Sequence, residues 1–154
     1  MCRGREKKWD GSGGQSEQAL GRSRGGFGTK IHGSFDGLGH PVELIVTAAQ
    51  ESDIGQAEAL LADHQPEAVI ADRGYDKRAL VEEIESRGAE AVIPTLSTRK
   101  EQRTVDPHLY RERNLAERFW SKVKQYRRVA TRYEKKAINF VAFVKVAAIM
   151  VMLQ

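Results

Sequence analysis

The sequence predicts an α/β fold in which a β-hairpin is followed by alternating helices and strands. Apolar and polar residues alternate from residue 27 to residue 35, which is the period of a strand with one buried face. The wholly apolar segment 68–71 is typical of a strand covered on both faces. Apolar residues recur at helical spacing between and after these segments. This order indicates a mixed sheet with helices on its faces.

The first half of the chain contains the hairpin and one helix. Residues 27–35 and 41–47 are the two predicted strands, and turn-forming residues at 36–40 join them. The first helix is predicted over residues 54–64, with Asp53 as its N-cap.

The second half contains two short strands and three helices. The strands are predicted at residues 68–71 and 89–94, with a helix over about 77–87 between them. A long helix is predicted to start at Asp106 and Pro107, and a final helix follows Thr131.

Composition restricts the class of protein. Residues 1–26 are rich in Gly, Arg and Ser, which predicts a flexible arm ahead of an ordered domain at 27–154. The single cysteine, Cys2, excludes an intramolecular disulfide and a cysteine-based zinc site. A net charge of +4 favours polyanionic partners only mildly. The polar N-terminus argues against secretion and predicts a cytoplasmic protein. The apolar segment 137–153 is shorter than a spanning helix and carries Lys145, so we expect it to pack on protein.

Asp72 is the first candidate functional residue. It follows the most apolar strand, and open α/β sheets bind their ligands at the carboxyl ends of strands. A carboxylate there suits Mg²⁺, which prefers oxygen ligands. The alternative is that Asp72 caps the turn at Gly74 or pairs with Arg73 or Lys77.

A polar stripe on the long helix is the second candidate. At about 100° per residue, four polar side chains fall on one narrow face of a continuous helix. These residues are Tyr110, Arg113, Glu117 and Lys124. The opposite face is apolar and includes Leu115, Phe119, Val123 and Tyr126, with Trp120 at its edge. The alternative is a solvated surface on which Arg113 and Glu117 form an ordinary i,i+4 pair.

Together these residues resemble the insertion-sequence DDE transposases, in the group marked by Tyr-x2-Arg-x3-Glu-x6-Lys within the IS-four-like/IS-five-like superfamily. That pattern is complete at Tyr110, Arg113, Glu117 and Lys124. Asp72, within Asp-Arg-Gly-Tyr-Asp, is similar to the family's second catalytic Asp. Two further segments are also similar to the family: 21–32, with Gly-Arg-Ser-Arg-Gly-Gly and Thr-Lys-Ile-His, and 127–135. The resemblance covers residues 14–148.

The resemblance implies a ribonuclease-H-like fold and a transposase that cleaves DNA and transfers strands with two Mg²⁺ or Mn²⁺ ions. Asp72 and Glu117 are then metal ligands and catalytic residues. Tyr110, Arg113 and Lys124 are then implied to contact transposon-end DNA, and a homo-oligomer is expected in the active complex. For Arg22, Arg24 and Lys30 we predict phosphate contacts, with a solvated basic arm as the alternative.

The chain departs from the family at the first catalytic Asp. In the family this residue lies on a central strand ahead of the hairpin. Here Asp10 is the only Asp before residue 21. It lies in the sequence Trp-Asp-Gly-Ser, which is followed by Gly-Gly and not by residues typical of a strand. Either Asp10 substitutes for the missing ligand, or an upstream-encoded segment supplies the strand. The second interpretation predicts that the chain alone is weakly stable and inactive. An inactive DNA-binding fragment that regulates transposition, or a non-functional remnant, are the alternatives.

Overall fold

The computed structural model of the chain describes Gly14 and residues 17–154. Asp10 and residues 1–13, 15 and 16 of the predicted arm lie outside the described residues. The strands are β1 Gly21–Ser23, β2 Gly26–Phe35, β3 Pro41–Ala48, β4 Ala68–Ile70 and β5 Glu90–Val92. The helices are α1 Ile54–Leu61, α2 Arg78–Ser86, α3 Pro107–Arg111, α4 Arg113–Val123, α5 Arg127–Ala130 and α6 Ala137–Met152.

The predicted hairpin is confirmed and forms most of the first sheet. Strands β1, β2 and β3 lie side by side in that order and are antiparallel. Asp36 closes the β2–β3 turn, because its Oδ1 accepts hydrogen bonds from the backbone N–H groups of Leu38 and His40. Strand β1 lies within the segment that the sequence predicts as a flexible arm, and Gly26, at φ +108°, permits the tight turn into β2.

The second sheet contains only β4 and β5, which are parallel and connected through α2. The prediction of one mixed sheet is wrong in this respect, because no hydrogen-bond ladder joins β2 to β4 in the described part of the chain. Strand β2 pairs with β3 along one edge and with β1 only at its start on the other, so most of that second edge has no strand partner among residues 17–154.

Each sheet has its own hydrophobic core. The first lies between the three-stranded sheet and helices α4, α5 and α6, where the side chains of Phe119, Val123, Phe140 and Val144 are almost fully buried. Ile31 and Phe35 on β2 pack against it. Trp120 contacts the Phe35 ring edge-on, in agreement with its predicted position at the edge of the apolar face of the long helix. The second core packs α1 and α2 on the β4–β5 sheet.

The single long helix predicted to start at Asp106 and Pro107 is two helices, α3 and α4, so the prediction of one continuous helix is wrong. Glu112 separates α3 from α4 with a tightened turn, in which the N–H of Glu112 bonds to the carbonyl of Leu109. Glu112 keeps helical dihedral angles, so the polar stripe is preserved across the break. Asp106 caps α3 through the N–H of His108, as the sequence predicts.

The C-terminal helix differs from its predicted start. It begins at Ala137, and the short helix α5 precedes it. Among the described residues, no helix is both long and apolar enough to cross a membrane.

Candidate active site

Asp72 stands where β4 leaves the sheet. Its backbone is extended, and its Oδ1 accepts a hydrogen bond of 2.8 Å from the N–H of Gly74. A side chain at position 74 would put Cβ 2.9 Å from that same oxygen, so a larger residue there would displace the Asp72 carboxylate. Asp72 therefore caps its own turn, as the simpler interpretation of the sequence expects, and its carboxylate is held in one orientation.

The same turn is fixed at its other end by Asp76, which sequence reasoning missed. The Asp76 side chain is fully buried, and its Oδ2 accepts bonds of 2.8 Å from the N–H of Leu96 and from Nε of Arg99. Arg99 also donates to the Asp76 carbonyl, and Arg103 lies 3.8 Å from Oδ1. The loop after β5 is thereby tied to the Asp72 turn. The only sequence signal was the second acidic residue of Asp-Arg-Gly-Tyr-Asp.

A further polar cluster lies between β2, β3 and the start of α1. Asp53 is not the predicted side-chain cap of α1, because its carboxylate lies 3.0 Å from the ammonium of Lys30 and makes no capping bond. Lys30 also donates to the carbonyl of Glu51. His32 is buried with its Nε2 2.7 Å from Thr47 Oγ1.

Electrostatic effects connect this cluster to the Asp72 turn. Burial raises the pKa of Tyr75, and the negative charges of Asp53 and Asp72 raise it further. Burial lowers the pKa of His32, with the Asp53 charge opposing that effect. Asp53 and Asp72 therefore both act on Tyr75. Lys30, predicted to contact phosphates, already has an anionic partner.

Three of the four motif residues, all on α3 and α4, contact one another in sequence order. The guanidinium of Arg113 lies over the Tyr110 ring, 5.5 Å from its centroid, and NH1 is 2.7 Å from Glu117 Oε1. The i,i+4 pair expected from the sequence is present, and it fixes the carboxylate of Glu117. Lys124 follows the last residue of α4 and is exposed.

A cavity of about 650 Å³ lies between the two sheets. Asp72, Arg113 and Glu117 all line it, so Asp72 and Glu117 face one space although 45 positions separate them. Much of the remaining wall is apolar and comes from β2, α1 and β4. The buried hydroxyl of Ser34 also belongs to a wall residue and has no hydrogen-bond partner among the described residues.

The other predicted DNA contacts lie on the β1–β2 hairpin. Arg22 is on β1 and Arg24 in the following turn, and both are exposed. Neither forms an ion pair with any residue from 17 to 154.

The described residues offer few donors for a divalent cation. No group of three or more His, Cys, Asp or Glu residues in the described part of the chain is placed to hold a metal ion. Mg²⁺ is usually bound by one or two carboxylates, with phosphate oxygens and water completing its shell. Asp72 and Glu117 supply two carboxylates of the kind that such an ion takes, and a second ion would require further ligands.

Two carboxylates that line one cavity of an α/β fold are compatible with a metal-dependent enzyme, and the amino-acid sequence gives the family. Residues 3–153 match the sequence model described as the transposase DDE domain, so the chain belongs to this family. The predicted membership in the DDE transposases is thereby confirmed at the level of the family.

Two relatives are named as insertion-sequence transposases. The protein named for element IS6501 of Brucella ovis is 38% identical over 128 residues, which cover 82% of this chain and 98% of that protein. The protein named for element IS402 of Burkholderia cepacia is 29% identical over 136 residues, covering 80% of this chain and 62% of the relative. The chain thus spans less than two thirds of the second relative. No solved structure matches it significantly.

Proposed function

We propose that this protein catalyses DNA cleavage and strand transfer during transposition of an insertion sequence, with Asp72 and Glu117 as its metal-binding carboxylates. The observation that carries the proposal is that both side chains line one cavity. Divalent cations, when bound, help to activate the attacking oxygen and stabilise the leaving oxygen of a phosphodiester. The carboxylates supply the negative charge that holds such ions.

The neighbouring residues hold the reacting groups in place. Arg113 orients Glu117 through its 2.7 Å contact and has further N–H groups for a phosphate oxygen. Tyr110 stacks on the Arg113 guanidinium and so limits its motion. Lys124 lies beyond Glu117 on the same stripe, where its ammonium is placed to contact DNA.

The gap between the sheets supports the second part of the proposal, that a further strand completes the site. Residues of β2 and of β4 line the same cavity, and each strand has an edge whose backbone has no strand partner among the described residues. Such edges are templates for an additional strand. A strand seated there would join the two sheets into the mixed sheet that the sequence predicts, and a carboxylate on it would supply ligands for a second ion. An upstream-encoded transposase segment is our candidate for this strand.

Metal binding tests the assignment of the two carboxylates. Titration of the full chain with Mn²⁺ should show weak binding that is lost in Asp72→Asn and in Glu117→Gln. Glu82→Gln is the matched control, since Glu82 is an exposed carboxylate on α2 paired with Arg78. Unchanged Mn²⁺ affinity in either site variant would contradict the shared site.

Cleavage of the element's own terminal DNA in Mg²⁺ tests the completing strand. The chain produced together with the frame ahead of Met1 should cleave this DNA, whereas the chain alone should not. Efficient cleavage by the chain alone would refute the need for a completing strand. Salt-sensitive binding of terminal DNA with no cleavage in either form would favour the alternative of a regulatory DNA-binding protein, which the exposed Arg22 and Arg24 also suit.

A further inference from the structure

A second groove of about 650 Å³ starts at Glu117 and is separate from the gap between the sheets. Thr29 and Ile31 of β2 form one wall. The opposite wall comes from the end of α4 and from α5, with Lys124 and Val129 among its residues. The groove therefore leads from a proposed catalytic carboxylate towards the start of β2.

Phe27 precedes the groove residue Thr29 by two positions on β2. Alternate residues of a strand point to the same face, so Phe27 shares its face with Thr29 and Ile31. It lies about 7 Å beyond Thr29, at roughly 3.4 Å per residue. Its side chain is 57% exposed. Arg22 is directly opposite Phe27 on β1, so their side chains lie on the same face.

The groove wall carries one carboxylate, Glu117, which is paired with Arg113, and one cation, Lys124, and two arginines lie on the neighbouring β1–β2 hairpin. Arg22, Arg24 and Lys124 are exposed, and none of them pairs with a carboxylate among the described residues. A single exposed phenylalanine is ordinary on a protein surface. An exposed ring close to a partly apolar groove and to unpaired cations is a combination that binds single-stranded nucleic acid, by stacking on bases and contacting phosphates.

We propose that this groove holds the unpaired end of a DNA strand, with Phe27 stacked on a base and Arg22 and Lys124 contacting phosphates. The inference rests on the proposed function, because the groove begins at Glu117, where the strand would be cut. Single-stranded DNA is the occupant because Ile31 and Trp120, which line the groove, are only partly buried and give its wall apolar surface. A duplex keeps the faces of its bases within the stack, whereas unpaired bases expose them.

Binding experiments with the full chain, in EDTA so that no cleavage occurs, test the proposal. The probes are a blunt duplex of about 20 base pairs and the same duplex with a 3′ overhang of about six nucleotides carrying 2-aminopurine. We expect the overhang to bind more tightly and its fluorescence to be quenched. Phe27→Ala should weaken overhang binding about fivefold or more and leave blunt binding unchanged.

Two further variants separate stacking from general effects. Phe27→Trp should restore both the preference and the quenching. Leu38→Ala is the matched control, because Leu38 is 75% exposed in the turn at the other end of β2. Equal overhang affinity in Phe27→Ala and the wild type would overturn this inference alone. Failure of the wild type to bind either probe at low salt would overturn the inference and the proposed function together.

Discussion

Replacing Asp76 with alanine should destabilise the protein and disturb the Asp72 turn. The Asp76 side chain is fully buried and accepts two bonds of 2.8 Å, from Leu96 N–H and Arg99 Nε. Removing one partner of a buried pair costs about 3–5 kcal/mol when the other charge stays buried. Arg99 is 39% exposed and can be rehydrated, so we expect the low end, about 3 kcal/mol. Asp76→Asn keeps an acceptor for Leu96 N–H and should cost about half as much.

Urea unfolding followed by circular dichroism measures this loss directly. The urea concentration at the midpoint should fall in the order wild type, Asp76→Asn, Asp76→Ala. The slope of the free energy of unfolding against urea concentration should stay the same. Glu82→Ala removes an exposed i,i+4 pair with Arg78 and should leave the midpoint where it is. Because Asp76 fixes the turn that carries Asp72, Asp76→Ala should also weaken Mn²⁺ binding. A loss of stability under about 1 kcal/mol in Asp76→Ala would refute the reasoning.

Two further predictions concern the turns and the buried histidine. Gly39→Ala should lower the free energy of unfolding in urea by about 2 kcal/mol, because φ is +83° and the new Cβ would lie 3.0 Å from Cβ of Leu115. Gly88→Ala is the control: φ is +81° there too, but the new Cβ meets open space, so the loss should be about 1 kcal/mol. An equal loss in both would show that the contact with α4 is unimportant. Burial lowers the pKa of His32, so the unfolded chain takes up the proton more readily and stability should fall as pH drops below the ordinary value of 6.5. His32→Gln should reduce this loss of stability between about pH 7 and pH 5, whereas His40→Gln, at an exposed histidine, is the control and should not. If the stability of His32→Gln keeps the wild-type dependence on pH, His32 is not the group responsible.

Periodicity was enough to predict the elements that pack on one face. The helical spacing of Phe119 and Val123 reflects burial, and the structure buries both side chains as expected. The alternation in β2 predicts the strand but not its burial, because Phe27 is 57% exposed and His32, on the other face, is buried. The break between α3 and α4 could not be predicted in this way. Glu112 is a good helix former, and the tightened turn there leaves no mark in the pattern of apolar residues.

Long-range polar contacts were the part of the site that the sequence concealed. Asp53 precedes a helix and therefore suggested a cap, but its carboxylate turns to Lys30, 23 positions earlier. Asp76 binds a loop 20 positions later through Leu96 N–H. Local propensity contains no information about such partners, because each bond depends on how separate elements pack.

The two separate cores explain why completion of the site should also complete the fold. Each sheet is stabilised by its own helices, and the walls of the gap between them remain apolar and partly exposed. Asp72 belongs to one side of this gap and Glu117 to the other, so their separation depends on what fills it. A strand paired with both β2 and β4 would bury those walls and fix that separation in the same event. Stability and metal affinity should therefore rise together when the completing segment binds, since one interaction controls both.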